Sequence, residues 1–104
     1  KCSNSDIQIL EQQISAQPSG IPTFEVDVHN TCARGCEITR IHLNCVGFSS
    51  DSVIDPKIFF HPKNSKICVI NNDEPLKFRA AVSFTYTTNF MYKFSIASFQ
   101  CIPE

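Results

Sequence analysis

Asn30-Thr31-Cys32-Ala33-Arg34-Gly35-Cys36, running on to His42-Leu43-Asn44-Cys45, holds three of the six cysteines of a 104-residue chain. Just before it, Phe24, Val26 and Val28 alternate with Glu25, Asp27 and His29. Just after it, Ile41, Leu43 and Cys45 alternate with Arg40, His42 and Asn44. A period of two marks a strand with one apolar and one wet face. Two such strands joined through a cysteine-flanked turn read as the covalent hub of a small β domain.

Working outward, the segment 6–14 mixes Ile7, Ile9, Leu10 and Ile14 with polar residues, and fits a strand or a short helix. Gln17-Pro18-Ser19-Gly20-Ile21-Pro22 interrupts regular structure. The segment 53–60 reads as a strand that Pro56 confines to an edge or a bulge, and His61-Pro62-Lys63-Asn64 as a turn. A short apolar strand over 66–70 precedes the loop Asn71-Asn72-Asp73-Glu74-Pro75. Phe78, Ala80, Val82, Phe84 and Tyr86 form the longest alternating run, and Thr87-Thr88-Asn89 reads as a hairpin connection into a last strand over 90–101. There the apolar parity switches near Ile96 and Ala97, which predicts a bulge. Seven short strands separated by turn signals predict an all-β fold, a small disulfide-stapled antiparallel β-sandwich with residues 1–104 as one domain.

The composition is 42% hydrophobic and 18% charged, with nine Phe and a formal net charge of −1. A chain so nearly neutral, with no dense basic run, gives no reason to expect a nucleic-acid partner. No apolar run approaches the roughly 18 residues of a membrane span, so membrane insertion is not expected. An even, dense cysteine set points to disulfides and an oxidising, extracellular compartment. The polar start Lys1-Cys2-Ser3-Asn4 reads as a mature form without its targeting segment.

If the seven strands alternate strictly up and down, Cys2, Cys32, Cys36 and Cys68 fall at one end, and Cys45 and Cys101 at the other. Bridged cysteines need Cα atoms within about 7 Å. The expected bridge is therefore Cys45–Cys101, which closes half the chain into a loop worth about 4 kcal/mol at most. At the other end, Cys2–Cys36 with Cys32–Cys68 is preferred over Cys2–Cys32 with Cys36–Cys68. A Cys32–Cys36 bridge would close only a small loop.

Catalytic chemistry finds little support. Cys32, Cys36, Cys45 and His42 are zinc-type ligands, but their spacing suits disulfides better, and no metal or other cofactor is expected. Paired cysteines leave no thiolate nucleophile. His29 and His42, on consecutive strands, would approach each other across a hairpin, and read as solvated. Asp51, Asp55, Asp73 and Glu74 read as turn formers, Ser49-Ser50 lacks a nucleophile-elbow context, and three Gly make no phosphate loop. Phe90, Tyr92 and Phe94 read as core. Of Phe59 and Phe60, adjacent strand residues pointing oppositely, one is expected outside.

An ordered set of short motifs carries a resemblance. Cys2 with Asp6-Ile7 is followed by Gly20-Ile21-Pro22-Thr23-Phe24, Val28-His29-Asn30-Thr31-Cys32, Cys36-Glu37-Ile38 and Ile41-His42-Leu43-Asn44-Cys45. Then come Gly47-Phe48-Ser49-Ser50, Asp55-Pro56-Lys57-Ile58-Phe59, Cys68-Val69-Ile70-Asn71, Ser83-Phe84-Thr85-Tyr86 and Ser98-Phe99-Gln100-Cys101. Across nearly the whole chain this resembles the tapetum determinant family of plant secreted proteins. The resemblance implies a non-enzymatic extracellular ligand of a leucine-rich-repeat receptor kinase ectodomain, specifying cell fate in anthers.

A wet sheet face of Glu25, Asp27, His29, Arg40 and His42, with Arg34 in the turn, is the expected receptor-binding surface. Arg and aromatic side chains are the usual anchors of such contacts. The alternative is an extracellular carbohydrate-binding or wall-associated module, which predicts a planar row of exposed aromatics. A secreted hydrolase, inhibitor or defence protein would need a cleft with carboxylates or a rigid exposed loop.

Overall fold

A computed structural model of the chain describes residues 2–102. After a short turn at Asn4–Asp6 come β1 (Ile7–Ala16), β2 (Pro22–Asn30), β3 (Glu37–Asn44), β4 (Phe59–Phe60), β5 (Ile67–Ile70), β6 (Ala81–Thr87) and β7 (Ser95–Ile102). They form two antiparallel sheets, ordered β1-β2-β6 and β4-β5-β3-β7. The expected all-β sandwich is present.

The segment at 6–14 is a strand. β1 pairs with β2 from Ile7↔Asn30 to Gln13↔Phe24, which turns Ile7 and Ile9 inward and leaves Leu10 and Ile14 45% and 47% exposed. Tertiary pairing has overridden the helical spacing of Ile7, Leu10 and Ile14.

The inner faces meet through aromatic rings. Phe59 on β4 stacks on Phe84 on β6, with centroids 4.3 Å apart. Phe48, from the irregular segment after β3, sits edge-on to Phe59 and Tyr86, each at 5.2 Å, and to Tyr92 at 5.5 Å. Phe59 is buried while Phe60 is 47% exposed, as the alternation predicts. Phe94 is also buried, but Phe90 lies outside at 83%.

Two connections differ from expectation. Only Phe59–Phe60 of the segment 53–60 is strand. Asp55 and Pro56 open a turn instead: the Asp55 carbonyl accepts the N–H groups of Ile58 and Phe59, and its Oδ1 accepts that of Lys57. An acidic cap followed by Pro is favourable chemistry for starting a turn. The residues after Thr87 are not a hairpin either, because β6 pairs with β2 while β7 pairs with β3. The chain crosses between sheets here, held by the Tyr86 hydroxyl, which accepts the Tyr92 N–H at 2.7 Å.

All six cysteines are bridged, as Cys2–Cys101, Cys32–Cys36 and Cys45–Cys68. This overturns the Cys45–Cys101 expectation and both pairings proposed for the other four. The cause is one failure of strict alternation. β3 is antiparallel to both β5 and β7, and β5 is antiparallel to β4, so β3 and β4 run the same way. The irregular segment between them reverses the chain twice. Cys101 consequently lies opposite Ile38 at the start of β3, and Cys68 lies opposite Leu43 near its end, beside Cys45. On loop-closure grounds Cys2–Cys101, separated by 99 residues, contributes at most about 4.7 kcal/mol. Cys45–Cys68 contributes at most about 3.5 and Cys32–Cys36 about 2 kcal/mol.

Asn30, 1% exposed, joins the sheets through polar contacts. Its Nδ2 donates to the carbonyls of Cys36 and Leu76, and its Oδ1 accepts the Cys32 N–H, all at 2.8 Å. One amide thus satisfies three main-chain groups of the turn between β2 and β3 and of the segment leading into β6.

Candidate functional site

The residues expected to form one wet face divide between two. Glu25, Asp27 and His29 lie on β2, central in the three-stranded sheet, and Arg40 and His42 lie on β3 in the other sheet. The outer faces of a sandwich point away from each other. His29 is opposite Gln8 and Ala81, and His42 opposite Val69 and Ser98, so the two histidines do not meet.

Arg34 is anchored within the molecule. Its Nη2 lies 3.1 Å from Oδ2 of the buried Asp6. The Ser3 N–H donated to that same oxygen at 2.9 Å, followed by Arg34, holds the Asp6 carboxyl below its ordinary range. Arg34 thereby ties the Cys32–Cys36 turn to the chain start.

On the outer face of the three-stranded sheet, Ser83 donates to Asp27 across the β2–β6 register, and Gln12 Nε2 donates to Glu25 at 3.3 Å. These carboxylates have neutral partners, and the register positions around them hold no Lys or Arg.

The outer face of the four-stranded sheet is built differently. Its β3–β7 ladder shifts register twice, once on each side of the His42↔Ser98 pair. One shift coincides with Arg40, whose φ is 53°. The other skips Ala97, where the parity of β7 predicts a bulge. Against β3 lies a turn, Asn71–Asp73, in which all three residues are left-handed, with φ of 56°, 53° and 63°. Asn and Asp tolerate that region better than other L-residues. Thr39 Oγ1 donates to the Asp73 carbonyl at 2.7 Å, and His42 Nε2 lies 2.8 Å from Asp73 Oδ1. Across the strands, Phe60, Val69, His42 and Ser98 form one row.

Among the described residues, the group best placed for a metal is Cys45, His61 and Cys68, with ligand atoms within 4.8 Å of one another. Cys45 and Cys68 are joined as a disulfide, so neither supplies the thiolate that zinc takes. Of the zinc-type set singled out from sequence, Cys32 and Cys36 are bridged to each other, and His42 is on Asp73.

Sequence reading missed Glu11. Its Oε2 accepts the Phe94 N–H at 3.1 Å, while Oε1 is buried without a partner. Burial pushes its carboxyl above the ordinary range, against the opposing effects of the Phe94 N–H and Lys93. Its inward parity in β1, shared with Ile9, was the available signal.

With this geometry in hand, the model of the C-terminal region of tapetum determinant 1 matches residues 3–102, which includes every strand of both sheets. The chain belongs to the tapetum determinant 1 family. It is 39% identical over 105 residues to TPD1 protein homolog 1A of Oryza sativa subsp. japonica, covering 95% of this chain and 46% of that protein. To TPD1 protein homolog 1 of Arabidopsis thaliana it is 34% identical over 100 residues, covering 96% and 55%. A second rice relative, TPD1 protein homolog 1B, is 30% identical over 100 residues, covering 96% and 58%. The chain thus spans about half the length of these relatives. No solved structure matches it. Within this tapetum determinant chain, the two outer sheet faces are the candidate docking surfaces: one acidic, the other bulged at its central strand and carrying Arg40.

Proposed function

We propose that this chain is a secreted, non-enzymatic plant signalling ligand, recognised by the ectodomain of a leucine-rich-repeat receptor kinase, that specifies cell fate in the anther and tapetum. The observation that carries this reading is membership of the tapetum determinant 1 family over residues 3–102. Three disulfides in so short a chain support an oxidising, extracellular location. Among the described residues the exposed aromatics are Phe60 on β4 and Phe90 in the connection between β6 and β7; two such rings are few for a sugar-stacking platform, which favours a protein partner over a polysaccharide.

The test is binding of the oxidised protein to a panel of leucine-rich-repeat receptor-kinase ectodomains, run beside a glycan array. Saturable capture by one ectodomain, with no glycan signal, is the expected result. Binding to wall polysaccharide alone would replace this reading with that of a carbohydrate-binding module.

A further inference from the structure

Among the described residues, six that are not glycine are left-handed: Arg40, Asn64, Asn71, Asn72, Asp73 and Arg79. Four are Asn or Asp, the types that accept this region most readily. Arg79, at φ 71°, has internal contacts: its guanidinium lies 5.1 Å from the Phe78 ring centroid, and its main-chain N–H donates to the Asn30 carbonyl at 3.0 Å. Arg40 stands apart. Its side chain is exposed, and among the described residues its guanidinium has no hydrogen-bond or ion-pair partner. A left-handed arginine costs free energy relative to glycine, and among the described residues no contact of its guanidinium offsets that cost.

The surroundings hold Arg40 in place without neutralising it. Its neighbours Thr39 and His42 are both fixed to Asp73, and the Asp73 carboxylate faces His42. Bulges commonly re-aim a side chain, and this one presents a guanidinium at the outer face that also exposes Phe60. Arg40 on β3 and Phe60 on β4, with β5 between them, are exposed on one sheet; arginine and aromatic residues are enriched at protein-binding centres, and a carboxylate is the fork's natural partner.

We propose that the outer face of the four-stranded sheet, centred on Arg40 and flanked by Phe60, docks a protein surface that presents a carboxylate beside an apolar patch. The occupant is a protein and not a polyanion, because the rows Phe60–Val69–His42–Ser98 and Ile67–Asn44–Ser95 contain no further Lys or Arg to follow a repeating charge. The opposite face already presents its own carboxylates and suits a carboxylate-bearing partner poorly. This assignment rests on the receptor reading and selects the side of the molecule that engages.

The test uses the ectodomain captured by the parent chain, with Arg40→Gly, Arg40→Glu, Phe60→Ser and, on the opposite face, Asp27→Ser. Arg40→Gly is expected to weaken binding about tenfold or more, and Arg40→Glu further. Its Tm should equal the parent's or exceed it by up to about 5 °C, because glycine accepts the same φ. Phe60→Ser should also weaken binding, while Asp27→Ser should stay within about twofold. The assignment is overturned if both Arg40 variants bind within about twofold of the parent, or if Asp27→Ser loses more than Arg40→Gly. A fall of more than about 5 °C in the Tm of Arg40→Gly would instead give the side chain a structural role. Competition by polygalacturonate through Arg40 would also overturn it, in favour of a polyanion. Absence of any captured ectodomain removes the receptor reading and this face with it, whereas capture insensitive to Arg40 removes the face alone.

Discussion

The two sheets of this molecule meet the same demand, one apolar and one wet face, by opposite means. Between β2 and β6 the register runs unbroken from Thr23↔Thr87 to His29↔Ala81, and the outward acids meet neutral neighbours. Between β3 and β7 it breaks twice, with a left-handed arginine within β3 and a left-handed turn packed against it. A regular ladder needs only alternation. A broken one needs side-chain ties such as Thr39 to Asp73, and the bridge Cys45–Cys68 adds a covalent tie beside it. The three-stranded sheet shifts register only in β1–β2, between Gln13 and Ser15; the four-stranded one is where a left-handed arginine is maintained within a strand, and strained backbone of this kind gathers at working surfaces.

The contrast is broken most severely at its junction. Asn30→Ala leaves the Cys36 carbonyl and the Cys32 N–H without this partner and the Leu76 carbonyl with the Ile38 N–H alone, and should cost about 2–4 kcal/mol in denaturant unfolding. A cost below about 1 kcal/mol would mean that the sheets are held together by the aromatic core and disulfides alone.

A matched pair of hydroxyl deletions sharpens the contrast. Thr39→Val removes a nearly buried donor from the left-handed turn and should cost about 1–2 kcal/mol, because the Asp73 carbonyl loses its partner. Ser83→Ala, on an exposed contact to Asp27, should cost no more than about 0.5 kcal/mol. Equal costs would show that the two faces are held equally loosely.

The smallest effect concerns Glu11, at the edge of the three-stranded sheet. Its carboxyl is raised in the folded state, so folding favours the protonated form. That contribution is fully present below the unfolded pKa and is lost as pH rises through the folded one. Glu11→Gln should therefore gain stability relative to the parent from acid toward neutral pH, by less than about 1 kcal/mol after solvent screening. Thermal melts across that range check the sign; a difference that shrinks with rising pH would contradict it.

Much of this architecture is legible along the chain. Phe24, Val26 and Val28 sit inward as their spacing requires, Phe59 and Phe60 split between core and surface, and the parity change at Ala97 coincides with a break in register. The bulge at Arg40 is not legible, because nothing in the type of that residue signals a left-handed backbone. The surface expected from sequence therefore joins residues that the fold separates: Asp27 and His29 stand on one sheet, Arg40 and His42 on the other.

By itself the sequence determined strand content, the inward set of apolar side chains and the pairing of every cysteine with some other, because periodicity and cysteine number are local or global properties of the chain. Which cysteine meets which, which connection crosses between sheets and which polar residues share a face were decided by the tertiary structure alone. These depend on the direction of each strand. One irregular segment between β3 and β4 breaks the alternation of direction, and within it Phe48 is buried against Phe59 and against Tyr86 and Tyr92, which lie far from it in sequence.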